Sequence, residues 1–412
     1  MRARLSLSVL ASAVLAGCGS VAEDAPEGWR FTSEILPNGA VHAVNTPPAD
    51  GGGPTIRLEP DLRIGSIDEE GPTSFGEIRG LAVTPDGRIG VLDTQAQELR
   101  VFGPDGTHLA THGGKGGGPG EMEGANGLMI GPEGRFWVPD PQLARMSVFD
   151  PDAGFVDSYP TRFLRSGYIW QGSMGSDGLI RKPSLTLGPR RDLLRIYDRR
   201  MTLVDSLFMP PGPDYDEEDP PSAFVFRGET GGGSVAVPYF PSATLEIGPD
   251  GAIWSTAYGD PAYRIMKWVP EGDTTLVIET LREPVPVSAA ERESGIEAVR
   301  SVFERFGVDE EQDWSKIPDV KPAVSGLFVA EDGRLWVRRP ASGGATWDVH
   351  EADGRWIASV EIDLTIGAYL DPVVRDGRFY AVARDDLGVS YVIRASLPPV
   401  ERTESASQPS NR

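Results

Sequence analysis

A single cysteine, Cys18, in 412 residues excludes an intrachain disulfide and any structural zinc site built from cysteine thiolates. Histidine is nearly as scarce. His108 and His112 lie four residues apart, which in a strand is about 13 Å, too far to share one metal. His42 and His350 are isolated. Positive charge is also in short supply: 39 Lys and Arg against 61 Asp and Glu leave a net charge of −22. A field of that sign repels nucleic acid and anionic membrane surfaces, so no nucleic-acid partner is expected. Beyond the N-terminus no apolar run reaches 18 residues, which leaves no second candidate membrane span. The H-E-x-x-H, C-x-x-C, G-x-S-x-G and P-loop patterns are missing as well.

What is present begins with export. Arg2 and Arg4, an apolar run from Leu5 and small residues before Cys18 make residues 1–17 a secretory signal. Its loss takes the net charge from −22 to −24. Leu15-Ala16-Gly17-Cys18 resembles the bacterial lipobox. The resemblance implies cleavage before Cys18 and lipid attachment to it, the alternative being an ordinary signal with a chance cysteine. By resemblance to lipoproteins of double-membrane bacteria, Gly19 rather than Asp after the cysteine favours the outer membrane. Residues 18–37 then form the lipidated cysteine and a tether, and residues 401–412 a polar tail.

Between them runs a repeat. Asp86-Gly87, Glu133-Gly134, Asp177-Gly178, Asp250-Gly251, Asp332-Gly333 and Asp376-Gly377 each precede a short β-prone run. An acid-Gly pair supplies the positive φ angles of a tight hairpin. A second turn follows the first five: Asp105-Gly106, Asp152-Ala153-Gly154, Asp198-Arg199-Arg200, Glu271-Gly272 and Asp353-Gly354. Each unit therefore reads as four antiparallel strands, a to d. Six units over residues 38–400 predict an all-β, six-bladed propeller. The sixth repeat lacks its outer strand. Residues 55–66, TIRLEPDLRIGS, are expected to supply it, closing the ring and removing an exposed edge.

IGVLDTQAQELRVFGPDGTHLATHG resembles an NHL-type propeller repeat, with Ala96 and Glu98 where that family usually has Asn and Arg. GGKGGGPGE at 113–121 resembles the G-x-G-P-G-E loop of bacterial lipoproteins described as six-bladed β-propellers, and GLFVAEDGRLWVRR at 326–339 is similar to the same group. The resemblance implies a fold rather than an activity, because propellers host binders, lyases and lactonases alike.

Meander topology puts the a–b and c–d turns on one face of the ring. The b–c loops and d–a crossings lie on the other. Two long crossings, residues 210–244 and 282–325, load that second face. The latter holds a helix signal: Ser288 and Glu291 form a capping box, Ile296, Val299, Phe303 and Phe306 recur at helical spacing, and Gly307 can end it. The helix is expected either to cap the channel mouth or to pack on the blade rim.

For the site, basic residues near the ends of the b strands (Arg181, Lys182, Arg338, Arg339 and Arg384) are candidates for a positive arc around the mouth, opposite Asp93 and Asp140. Ordinary inter-blade ion pairs are the alternative. Strand alternation turns only one of Arg338 and Arg339 toward the channel. The inner strands offer acid only at Glu246, Glu331 and Asp371, and no set of three ligands can be assigned. The acidic run Asp214 to Asp219 lacks the spacing of a calcium loop, and GGKGGGPGE lacks that of a phosphate cradle. No cofactor is expected; calcium is conceivable but has no assignable site. The sequence thus favours a lipid-anchored module binding a protein, peptide or glycan, with a lactonase-like hydrolase or virginiamycin B lyase-like enzyme as alternative.

Overall fold

The computed structural model describes residues 20–21 and 25–399, apart from 67, 69, 162–169, 185–192, 209–215, 217, 229–230, 270–272, 309–310, 341–343 and 368. Six four-stranded antiparallel blades form a closed ring. Blade 1 is Ile78–Val83, Ile89–Asp93, Glu98–Phe102 and His108–Gly113. Blade 2 is Met129–Ile130, Phe136–Asp140, Arg145–Asp150 and Gly154–Pro160. Blade 3 is Ser173–Met174, Ile180–Ser184, Leu193–Tyr197 and Leu203–Phe208. Blade 4 is Leu245–Ile247, Ile253–Ser255, Arg264–Trp268 and Thr274–Thr280. Blade 5 is Gly326–Val329, Leu335–Arg339, Ala345–His350 and Trp356–Ile362. Blade 6 is Val373–Arg375, Arg378–Arg384 and Ser390–Ser396, completed by Pro60–Ile64.

The acid-Gly turns sit where the sequence puts them, with one difference in kind. In blades 1 to 5 only the glycine has positive φ, from 73° at Gly134 to 85° at Gly87. In blade 1, for example, the Gly87 N–H donates to the Thr84 carbonyl at 2.9 Å and the Thr84 N–H to that of Arg88. This is a type I turn with a bulge. Only in blade 6 are both residues left-handed, Asp376 at 49° and Gly377 at 66°. The expected turn at Glu271-Gly272 lies outside the described residues.

Apolar faces of neighbouring blades interleave to make the core. Tyr380, Val382 and Val392 of blade 6 pack with Ile89 and Val91 of blade 1, so the ring is closed by side chains as well as by the borrowed strand. The strand-b residue three positions after the tight-turn glycine faces the next blade. It is Trp137, Trp254, Trp336 and Tyr380 in four blades, each inserted against its neighbour.

The N-terminal segment does more than close one blade. Arg30–Ile35 and Val41–Thr46 form a hairpin whose second strand runs parallel to the outer strand of blade 4. That hairpin includes residues 30–37 of the expected tether. Thr55–Arg57 then pairs, parallel, with the outer strand of blade 5, and Pro60–Ile64 completes blade 6. The expected single closing strand, residues 55–66, is therefore divided between two blades. The switch falls at Leu58, whose side chain is buried and whose N–H reaches the Glu361 carbonyl at 2.8 Å. Pro60, with no N–H, then starts the new strand at an edge. Asn45 pins this strap: its amide donates to the Gly354 carbonyl at 2.9 Å and accepts from the Trp356 N–H at 2.8 Å. Trp29 stacks on Trp356 with ring centroids 3.7 Å apart.

Helix α1, Ala289–Phe306, has both halves of its capping box and ends at Gly307 with φ 66°. It packs neither on the blade rim nor alone. Ile296, Val299 and Phe303 meet Phe224, Phe226 and Val237, which come from the hairpin Ala223–Gly228 and Gly231–Ala236 in the other long crossing. The two crossings flanking blade 4 thus build one cap with its own apolar core on the loop-rich face. The sequence reading missed that hairpin, although AFVFRG-ET-GGGSVA carries alternation around a polar, glycine-rich turn.

Candidate functional site

Register decides where the basic residues stand. Counted from the tight-turn glycine of its blade, Arg181 is three residues on, Arg338 five and Arg384 seven. They occupy three levels along the channel axis, not one, and no arc forms. Arg181 takes the place that three blades give to Trp. It is buried on the tight-turn side, with Nη2 2.6 Å and Nη1 3.1 Å from the Asp177 carboxylate and its guanidinium against Gly251 of blade 4. Lys182, one residue on, points the other way, with its ammonium 5.1 Å from the Trp170 ring centroid; burial, then Arg195, hold its pKa down. Arg339 lies 3.2 Å from buried Asp348, which also takes Arg282 at 3.1 Å and the Ser359 hydroxyl at 2.8 Å. Arg384 is exposed at the strand end.

Asp93 and Asp140 are not mouth charges either. Asp93 accepts from the N–H groups of Gly76, Glu77, Gln95 and Ala96, and lies 3.3 Å from Arg100. Asp140 does the same for Glu123, Gly124, Gln142 and Leu143. Each clips a b–c turn to the crossing beside it. Their recurrence in the sequence is a folding signal. The Gly-rich crossing is closed in a similar way: Glu121 accepts from the Gly118 N–H at 2.7 Å, and Arg145 donates to the carbonyls of Gly118 and Glu121.

Arg338 behaves differently. It reaches across to blade 6 and donates to the carbonyls of Ile366 at 3.0 Å and Gly367 at 3.3 Å. Asp371, in the same crossing, draws on its charge. The third member comes from blade 4. Glu246 sits on the inner strand opposite Trp254. The corresponding inner-strand residues are Ala82, Met129, Ser173, Phe328 and Val373 in the other blades. One blade in six thus places an acid on an inner-strand level that is otherwise free of charge.

The Asp371 charge acts on Glu246, although blade 5 lies between their blades in the ring. Burial pushes the Glu246 carboxyl well above its usual range, and the Asp371 charge pushes it further. Burial likewise raises Asp371 to about 6, against the pull of Arg338. Asp371 keeps an open surface, as a residue lining an opening does, yet is hemmed by protein on most sides. The arrangement brings together two carboxyls with raised pKa values and a guanidinium, from blades 4, 6 and 5. It can donate hydrogen bonds, accept them, and move a proton.

Two grooves lie elsewhere. One of about 400 Å³ runs between Val41, Lys267, Leu276 and Asp353; another of about 280 Å³ touches Ser176, Trp254 and Glu331. Both are on the tight-turn side, and their charges are internally paired, Lys267 with Asp250 at 3.1 Å and Asp353 with Arg355 at 3.0 Å. The perturbed carboxyls make the stronger candidate. Among the described residues, no group of three or more His, Cys, Asp or Glu side chains is placed to hold a metal ion. Nor is any described helix long and apolar enough to cross a membrane.

No family model and no curated protein matches the chain. Its structure is similar to that of virginiamycin B lyase from Staphylococcus aureus, at 12% identity over 92% of this chain and 94% of that one, with a TM-score of 0.40. It is also similar to a member of the DUF4221 family from Bacteroides vulgatus (11% identity, 82% and 97%, TM-score 0.44). A third likeness is to a gluconolactonase from Xanthomonas campestris (10% identity, 78% and 87%, TM-score 0.39). Scores and identities at this level carry no argument about ligand or activity.

Proposed function

We propose that the protein is an exported, lipid-anchored binding module that takes a protein, peptide or glycan ligand at the loop-rich mouth of its channel. The observation that supports this reading is Asp371 and Arg338 at the crossing between blades 5 and 6, with the Asp371 charge acting on Glu246, an acid deeper along the inner strands where five other blades place uncharged residues. A buried acid that costs stability is kept where a ligand uses it. The cap built from the crossings flanking blade 4 adds surface on the loop-rich face. The test is an array of glycans and peptides probed with the parent, Glu246→Ala and Asp371→Ala. Signals lost in both variants support the reading; signals indifferent to both sink it.

The enzyme reading, lactonase-like or lyase-like, has its own supporting observation. Glu246 and Asp371 are two carboxyls with raised pKa values, Glu246 pushed further by the Asp371 charge, and carboxyls held apart in this way can divide acid and base roles. Turnover would then rise with pH through about 6, as Asp371 ionises. A calcium-dependent version fits less well, since Arg338 beside Asp371 opposes a cation.

A further inference from the structure

We infer that the tip of the strap hairpin, Ile35 to Gly39, is the part of the propeller that touches the lipid surface, so that the ring stands on the rim of blade 4. The inference rests on the lipid anchoring of Cys18 proposed above. Its structural basis is the short strand Ser20–Val21, which pairs antiparallel with the outside of the hairpin, Ser20 opposite Ser33 and Val21 opposite Thr32. Cys18 is only two residues before Ser20, a span of at most about 7 Å. A lipid on Cys18 therefore has almost no leash. It must enter the bilayer close to Ser33, and the hairpin runs on from there to its tip.

The tip suits that position. Ile35 is 79% exposed, an aliphatic side chain with no blade against it. Pro37, Asn38 and Gly39 are exposed beyond it, and carry no charge. The turn is held by the Leu36 N–H to the Ala40 carbonyl and the Gly39 N–H to the Leu36 carbonyl, both 2.8 Å. The hairpin is hydrogen-bonded to blade 4 along Val41–Thr46 and pinned by Asn45 to blade 5, so it cannot swing independently of the ring. With a net charge of −24 once the signal is removed, the rest of the molecule is repelled by anionic lipid, which favours contact through a small uncharged tip. Blade 1, opposite blade 4 in a ring of six, then stands farthest from the membrane.

The test uses the full-length, lipidated protein in vesicles of phosphatidylethanolamine with a minor fraction of phosphatidylglycerol. Cys18 is the only cysteine, and its thiol would be consumed by the lipid, so an introduced cysteine is a unique labelling site. Fluorophores at Pro37→Cys, on the tip, and Leu109→Cys, on the outer strand of blade 1, are compared with quencher-bearing lipids. The expected result is at least twofold stronger quenching at position 37, reduced by adding Ile35→Asp without a change in melting temperature. Equal quenching at the two positions, or stronger quenching at 109, in protein that floats with the vesicles overturns the orientation and leaves anchoring intact. Protein that fails to float, or floats equally as Cys18→Ser, overturns anchoring and the inference together.

Discussion

At the scale of single residues, the paired acids of the channel make the sharpest expectation. Asp371 has a folded pKa of about 6 against 3.8 for a free side chain. The unfolded chain is the more ionised in that window, so folding is penalised above pH 6 and relieved as pH falls toward 3.8. Glu246 shifts in the same direction. Glu246→Gln and Asp371→Asn should therefore raise the melting temperature at pH 7, with the gain shrinking by pH 4. A fall in both would contradict the burial of these carboxyls. His350 works the other way. It is buried between the Tyr263 hydroxyl at 2.9 Å and the Gly354 carbonyl at 3.2 Å, and burial lowers its pKa from 6.5 to about 4. Its contribution is whole above pH 6.5 and is lost as pH falls to 4, by up to about 3 kcal/mol. Stability curves of the parent should thus be flatter in acid than those of Asp371→Asn, where His350 acts unopposed. Arg181→Ala should cost about 1–3 kcal/mol, because it empties an inter-blade slot and strips Asp177 of its partner. Part of this was legible in the sequence. LEIGP among LAVTP and LMIGP already displays an odd acid at Glu246. Its meeting with Asp371 was not legible, since 125 positions and a whole blade separate them. Arg181 was misplaced because the end of a strand, from which its level was taken, leaves no mark in the chain.

At the scale of elements, local signals read well and shared ones poorly. The acid-Gly turns, the capping box at Ser288 and the stop at Gly307 are each complete within a few residues, and each is present. The cap needed two segments that lie far apart in the chain to recognise one another, and nothing in either names its partner. The strap's division between blades 5 and 6 was hidden for the same reason. Because α1 packs on the crossing hairpin and not on a blade, Phe303→Ala should loosen the cap selectively. Losing that ring from the cap core should cost about 3–5 kcal/mol locally. Hydrogen exchange would accelerate in residues 289–306 and 223–236 while the inner strands of the blades keep their protection. Uniform acceleration would mean that cap and ring form one cooperative unit.

At the scale of the whole molecule, the strap serves three blades, lying parallel on two and completing the third. A protein beginning at residue 67 should lose cooperative unfolding, since blade 6 becomes three-stranded and the outer edges of blades 4 and 5 are uncovered. Retention of the parent's midpoint would show that the ring closes by side-chain packing alone. The same strap sets a timetable. Asp61 pairs with Arg394, 333 positions later. A chain made from its N-terminus therefore produces one strand of its last blade first, and that strand waits for a partner until nearly every other residue has been made. Final closure belongs to the finished polypeptide, and contacts so distant in sequence are slow to form. The strap signal, read as the fluorescence difference between the parent and Trp29→Phe, should trail the recovery of sheet during refolding, leaving an interval in which unpaired edges are open to capture by other chains.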